Sequence, residues 1–370
     1  MAAGPSRLYY RPLMTPSVRT KLVKAAAQSV GFDAVGVTLA RPPRNAAYYR
    51  DWLAAGHAGS MAYLAKNVDL RENPSKLLAG CRSVVCVAVS YARPEPGAEV
   101  EGPKTPGRIA RYARGVDYHM VLKRMLAELD ARLRRELGDD FESRACVDTA
   151  PIIERELAAA AGLGWIGKNT LVLNARLGSY TVLGELFTTL DLAPDAPATD
   201  HCGTCTRCLD ACPTQAFPQA YRMDASRCIS YTTIEHRGEV PASLAAASGA
   251  WVFGCDVCQE VCPFNAKAAP ATNDELRRQR VPAVIDAREW LELRAGAYRR
   301  LTRGAALRRA TRRMLRRNAA IALGNSSASQ ANDALRRAAD DPDPLVAGAA
   351  REALHTRKAR EGDPGRQKAR

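Results

Sequence analysis

The chain has 370 residues, 46% of them hydrophobic and 25% charged, with a formal net charge of +15. That length allows two or three domains of a soluble globular protein, and the basic excess exceeds what a small carrier serving small acceptors needs, so a polyanionic partner is expected. The opening segment MAAGPSRLYYRPLM lacks the apolar core of a secretory leader and no run approaches the roughly 20 apolar residues of a membrane span. Cytoplasmic residence without membrane attachment is the expectation.

Taken in chain order, residues 17–31 carry helical periodicity and 32–39 read as a strand. Residues 48–64 read as a helix around Gly56 and Gly59. A buried strand at 83–91 precedes a Pro/Gly-rich loop at 93–107, and a strong helix follows at 117–137. Strands are expected again at 143–147, 169–174 and 180–190, the last two joined by a hairpin turn at Arg176-Leu177-Gly178. Helices alternating with strands and ending in a hairpin give an α+β fold with a mixed α/β first domain.

Two segments of this half carry possible chemistry. Asp148 ends the apolar strand ACVD and precedes Thr149-Ala150-Pro151. Local physics reads such an Asp as a helix cap; a proton donor there would need burial to raise its pKa from about 3.9 toward neutrality. Asp117-Tyr118-His119 is equally open, because it begins a helix and His119 can be a satisfied histidine. Gly162 to Gly167 has the GxGxxG outline but leaves the helix at 151–161 and runs into a strand. A dinucleotide fingerprint has the opposite order, so these glycines are read as a helix C-cap and a close backbone approach.

Between Cys202 and Cys262 lie eight cysteines, as Cys202-x2-Cys205-x2-Cys208-x3-Cys212-Pro and Cys255-x2-Cys258-x3-Cys262-Pro with Cys228 between. Structural zinc takes separated cysteine pairs, and disulfides need an oxidising compartment. Three sulfurs at three-residue steps followed by Cys-Pro match two [4Fe-4S] clusters, in which the Cys before proline ligates the other cluster. The assignment is Cys202, Cys205, Cys208 and Cys262 for one cluster, and Cys212, Cys228, Cys255 and Cys258 for the second. Cys81, Cys86 and Cys146 sit in apolar runs and are read as small core residues.

Beyond the cysteines, nine arginines and no acid fall between Arg299 and Arg317. On one helix, Leu307, Ala310 and Met314 would form a buried stripe, leaving Arg308, Arg309, Arg312, Arg313, Arg316 and Arg317 for phosphate. A weak repeat about 31 residues apart, around Ala319–Gly324 and Ala350–Leu354, looks like HEAT-type helix pairs. Two such units cannot bury a solenoid core and should pack on the preceding domain.

The segments LRENPSKLLAGCRSVV, RYARGVDYH, CVDTAPIIERELAAAAGLGWIGKNTLVLN, RCISYTTIEHRGEVP, GCDVCQEVCPFN and RRNAAIALGN together resemble the epoxyqueuosine reductases of tRNA modification, over nearly the whole chain from about residue 17 to 354. The resemblance implies a cobalamin-binding catalytic domain at 1–195 and a ferredoxin-like module with two [4Fe-4S] clusters at 196–280. It further implies HEAT-like repeats for tRNA docking at 281–360, and residues 361–370 read as a disordered tail. Nothing in the sequence alone announces cobalamin, since Asp117-Tyr118-His119 is followed by Leu122 where a base-off corrinoid motif has glycine.

By motif, the resemblance places cobalamin beside Arg71, Arg111, Asp148, Val172, Leu183, Ser230 and Arg237. It makes Asp148 the proton donor for opening an epoxide by cob(I)alamin, with electrons fed singly through the clusters. Thr233, Glu235, His236, Arg308, Arg309, Arg312 and Arg313 are the candidate tRNA contacts. An external donor such as a flavodoxin or ferredoxin system would supply the electrons. Two alternatives share parts of this logic. A corrinoid reductive dehalogenase would leave the arginine-rich segment without a task, and a non-catalytic electron carrier would leave some 190 residues before Cys202 unexplained.

Overall fold

Residues 14–94 and 102–361 are described by the computed structural model. The tail read as disordered falls, from residue 362 on, outside the described residues, as do residues 1–13 and the middle of the 93–107 loop. Among the described residues the strands are β1 (Ala34–Leu39), β2 (Ser83–Ser90), β3 (Pro106–Ile109), β4 (Ser143–Cys146), β5 (Trp165–Ile166), β6 (Val172–Leu173), β7 (Thr181–Thr188), β8 (Trp251–Phe253) and β9 (Val284–Asp286).

The run SVVCVAVS forms β2, buried at every position, because it lies inside a sheet covered on both faces. That sheet has the order β1-β2-β7-β4, all neighbours antiparallel. One face packs against the helices Pro16–Val30 and Tyr118–Leu137 through Val85, Val87, Val182 and Leu186. In the longer helix, Leu122, Leu126, Leu129 and Leu133 are fully buried at i, i+4, i+7 and i+11, each contributing about 1.5–3 kcal/mol. Asp117 caps it by accepting from the His119 N–H at 3.0 Å. The other sheet face packs against the helix Glu154–Ala160 through Cys86, Cys146, Leu157, Leu183 and Phe187.

A second, three-stranded sheet has the order β8-β3-β9. Its strands come from the first half, the cysteine-rich segment and the C-terminal segment respectively placed at 106–109, 251–253 and 284–286, so all three expected segments meet in one hydrogen-bond ladder. Gly107 is required there, since a Cβ would meet the side chains of Ile285 and Val252 at 2.6 and 2.8 Å. A continuous core of Ile109, Val252, Phe253, Leu291, Leu307, Met314, Leu323, Leu335 and Val346 joins this sheet to the C-terminal helices Arg312–Asn325, Gln330–Ala338 and Pro344–Glu361.

Three sequence expectations are corrected. The helix expected over 48–64 stops at Ala46–Ala54, because Gly56 and Gly59 take left-handed φ of 74° and 57° and the space beside Gly59 is filled by the Tyr231 hydroxyl. The 169–174 strand shrinks to β6, which pairs with β5 and not with β7; the turn at 176–178 closes only a bridge between Asn174 and Gly178. The arginine-rich stretch is not one helix. It divides into the helix Ala295–Thr302, a 3-10 turn at Ala306–Arg309 and the helix starting at Arg312, broken at Gly304 with φ 63° and restarted by the Thr311 cap.

Candidate active site and cysteine centre

None of the eleven cysteines is paired in a disulfide. The eight of the module separate by their electrostatic neighbours: Cys208 faces Cys262, Cys202 and Cys205, and Cys262 faces Cys202 and Cys205. Cys255 faces Cys228 and Cys212, and Cys258 faces Cys228 and Cys255. Two groups of four result, close enough for Cys208 to act electrostatically on Cys258. Among the described residues no three His, Cys, Asp or Glu side chains group closely enough to hold a single ion; a four-iron cube spreads its thiolates over separate irons and asks for no such convergence. The first group lies beside Trp165 and Phe264. The second packs, through Cys255, against the small core of Ala110, Ile229 and Trp251, on which Tyr112 also rests.

Tyr112 also lines an open cavity of about 180 Å³, together with Tyr91, Tyr118, Glu154, Val172 and Leu183. The module is fixed against this cavity by Gln259, whose Oε1 accepts from Ser179 Oγ at 2.9 Å, and by Asn265, which accepts the Ser179 N–H at 2.7 Å.

Asp148 stands over the same region. It is not a helix cap, because the following helix begins only at Glu154 without a side-chain cap. Its φ of 44° is left-handed, a conformation an Asp tolerates at a cost of about 1–2 kcal/mol. Oδ2 accepts from the Tyr118 hydroxyl at 3.0 Å and faces His119 Nε2 at 3.0 Å; His119 Nδ1 in turn faces Asp117 Oδ1 at 2.8 Å.

Partial burial pushes the Asp148 carboxyl up, but the bonds and charge of His119, with Tyr118 and Arg309, outweigh it and hold the group below its ordinary value. Burial pulls His119 down, but its bonds to Asp117 and Asp148 raise it to about 9. The expected upward shift of Asp148 is therefore reversed: at neutral pH the pair is carboxylate and imidazolium, and the mobile proton sits on His119.

Two further acids, unnoticed in the sequence, lie behind it. Glu154 lines the cavity, its carboxyl group faces the backbone N–H of Asp148, and its Oε2 is sealed without a partner. Glu185 is fully buried between Cys86 and Cys146 on the neighbouring strands, with neither oxygen hydrogen-bonded. Burial, then the Asp148 charge, raises Glu154 to about 7; burial drives Glu185 well above the carboxylate range.

The other expected residues scatter. Val172 and Leu183 line the cavity, and Arg111 stacks over Tyr180 at 4.4 Å. Arg71 donates to the Ile152 carbonyl at 3.1 Å and keeps a sealed Nε without a partner. Ser230 lies on the helix Ile229–Ile234, outside the cavity lining. Arg237 is directed away, to Met314 Sδ and the Arg309 carbonyl.

Thr233 is buried and its hydroxyl bonds the Ile229 carbonyl and the Gly254 N–H, so it has nothing to offer a polynucleotide. His236 faces the Glu239 carbonyl at 2.6 Å. Glu235 pairs with Arg309 at 2.7 and 2.9 Å, and Arg309 lies 5.3 Å over the exposed ring of Tyr63. Glu235, Arg309 and Asp148 all act electrostatically on Tyr63.

Of the remaining arginines, Arg308 and Arg313 are exposed, the latter 3.5 Å from Asp343, and Arg312 donates to the Leu293 carbonyl. Arg316 pairs with Asp341. Arg317 is fully buried and donates to the carbonyls of Thr232, His236 and Gly238, a structural strut and not a phosphate ligand.

A flat macrocycle with polar edges suits this cleft. The floor is apolar at Leu171, Val172, Val182 and Leu183, the wall aromatic at Tyr91, Tyr112 and Tyr118, and Glu154 Oε2 waits without a partner.

Residues 201–265 match the family of 4Fe-4S double cluster binding domains, and residues 71–149 match the family described as epoxyqueuosine reductase QueG, DUF1730. An epoxyqueuosine reductase of Xanthomonas campestris is 38% identical over 318 residues, spanning 85% of this chain and 89% of the relative. A solved epoxyqueuosine reductase with a tRNA-Tyr epoxyqueuosine-modified stem loop superposes with a TM-score of 0.82 at 28% identity, covering 91% of this chain and 89% of that one. The epoxyqueuosine reductase from Bacillus subtilis superposes at 0.80 and 27% identity, covering 93% and 94%, with its catalytic aspartate loop swung out of the active site. The cysteine module thus holds two 4Fe-4S clusters.

Proposed function

The chain belongs to the epoxyqueuosine reductase family, and we propose that its residues divide the conversion of epoxyqueuosine to queuosine, at the wobble base of tRNA, into electron delivery, proton delivery and RNA capture. It is an oxidoreductase acting on tRNA. The reaction turns an epoxide into an alkene, consuming two electrons and two protons and releasing water.

Electrons enter through the cluster of Cys202, Cys205, Cys208 and Cys262 and pass to that of Cys212, Cys228, Cys255 and Cys258. The electrostatic proximity of Cys208 to Cys258 supports this order, and so does the core of Ala110, Ile229 and Trp251, on which both Cys255 and the cavity-lining Tyr112 pack. A corrinoid held by Arg71, Arg111, Val172, Leu183 and the tyrosines would supply a strongly reducing, nucleophilic metal centre facing the epoxide. Tyr112 and Tyr118 exclude water from that space. Alkoxide is a poor leaving group in neutral water, so a positioned acid must act as the carbon–oxygen bond opens. The imidazolium of His119 passes its proton along the Nε2–Oδ2 bond, and Asp148 presents it to the oxygen.

The base of a single-stranded loop can splay out and stack on an aromatic ring while phosphates meet arginines. Tyr63, with Arg309 over its ring, and the exposed Arg308 offer those two surfaces, and Tyr63 lies within the electrostatic reach of Asp148.

The observation that carries this reading is the Tyr118–Asp148–His119 bonding beside the cavity. Its test is Asp148→Asn. That variant keeps its clusters and its corrinoid spectrum but loses turnover by about 10²-fold or more, measured as epoxyqueuosine left in tRNA nucleosides. Wild-type rates would sink the assignment.

A further inference from the structure

Two protons must reach one oxygen in this reaction, the first as the epoxide opens and the second as the hydroxyl departs as water. The Asp148–His119 pair holds one. Glu154 meets the requirements for the other on position alone. It lines the same cavity as Tyr118, its carboxyl group faces the Asp148 N–H, and its Oε2 is closed to bulk water with no hydrogen-bond partner.

Building on the role assigned above to Asp148, we propose that Glu154 is the second acid of the site: its neutral carboxyl gives the proton that releases the hydroxyl as water, and it is left as carboxylate. The balance closes, because epoxide, two electrons from the clusters and two protons give alkene and one water. Reprotonation follows from solvent when the RNA leaves.

The groups facing Glu154 keep it neutral until then. Asp148 opposes its ionisation, Arg155 and His119 favour it, and burial outweighs both, so that it titrates at about 7. A general acid works best with an ionisation near the working pH. Glu185, two residues along β7 from Leu183 of the cavity lining and flanked by Cys86 and Cys146, is pushed up by burial and then by the charge that Glu154 would carry, and is the deeper carboxyl against which Glu154 is compared.

The test reads the carboxylic acid directly. Infrared titration of the cluster-loaded protein should show two neutral-carboxyl bands, one vanishing with a midpoint near pH 7 and missing in Glu154→Gln, the other vanishing only at higher pH and missing in Glu185→Gln. In the holoenzyme, single-turnover rates on epoxyqueuosine tRNA should fall above that midpoint. Glu154→Gln should cut kcat about 10²-fold with KM for tRNA unchanged and remove that alkaline limb, while Glu185→Gln keeps it. A missing titrating band, or a Glu154→Gln enzyme with wild-type rate and pH profile, overturns the proposal. If Asp148→Asn is inactive beside such a Glu154→Gln enzyme, the Asp148 assignment survives alone; if Asp148→Asn is fully active, the Asp148 assignment falls.

Discussion

His119 carries the largest correction at the scale of single residues. Its folded pKa of about 9 lies above the ordinary 6.5, so the stability it contributes is complete below pH 6.5 and is lost as pH rises through 9. Asp148 is shifted the other way, and its share is lost as pH falls through the ordinary Asp range near 3.8. Replacing His119 by Gln should therefore lower stability most between about pH 4 and 6.5 and progressively less as pH rises through 9. The expected size is on the order of 1–2 kcal/mol, because Asp148 is half exposed and solvent screens the pair. Thermal unfolding of both proteins across that range checks it.

The sequence made Asp148 conspicuous, since a carboxylate closing an apolar strand stands out. It could not show the sign of the shift, which depends on a histidine 29 residues earlier. Glu154 and Glu185 were invisible for the same reason: an acid in IIER or LGEL is unremarkable until a sheet buries it. The eight cysteines were legible because their ligand chemistry is local to short loops.

At the scale of elements, the arginine-rich stretch shows how far charge counting goes. Its sequence reads as one basic face, yet Gly304 and Thr311 divide it, and Arg317 points inward. Periodicity failed here because a buried arginine satisfying three carbonyls looks, in sequence, like a solvated one. Arg317→Met should leave the Thr232, His236 and Gly238 carbonyls unpaired and destabilise the protein by about 3–5 kcal/mol, measurable by denaturant titration. Arg308→Glu should do the opposite: stability within about 0.5 kcal/mol of wild type, weaker tRNA binding, and a salt dependence flattened by about one counterion. A salt series of binding isotherms separates the two.

The molecule as a whole is held by the ladder β8-β3-β9 and the core continuous with it. Element types were readable from patterning, but this pairing was not, because β3 and β9 are three or four residues long and are separated by about 180 positions. A chain ending before residue 281 would lose β9 and expose Ile109, Val252 and Phe253, whose burial contributes several kcal/mol. Such a truncation should be insoluble or bind iron poorly, assayed as iron and sulfide per chain. Among the described residues no helix is long and apolar enough to cross a membrane.

That ladder also bears on descent. Strand Pro106–Ile109 is tied to Trp251 on one side and to Ile285 on the other, so the cysteine-rich segment cannot be exchanged for a foreign ferredoxin as a cassette. A recombinant would keep its sulfurs yet forfeit the neighbours of Gly107, which leave no room for a side chain. Redox module, chemistry and RNA platform are therefore constrained to vary as one heritable unit, with substitutions on one strand answered by substitutions on the other two.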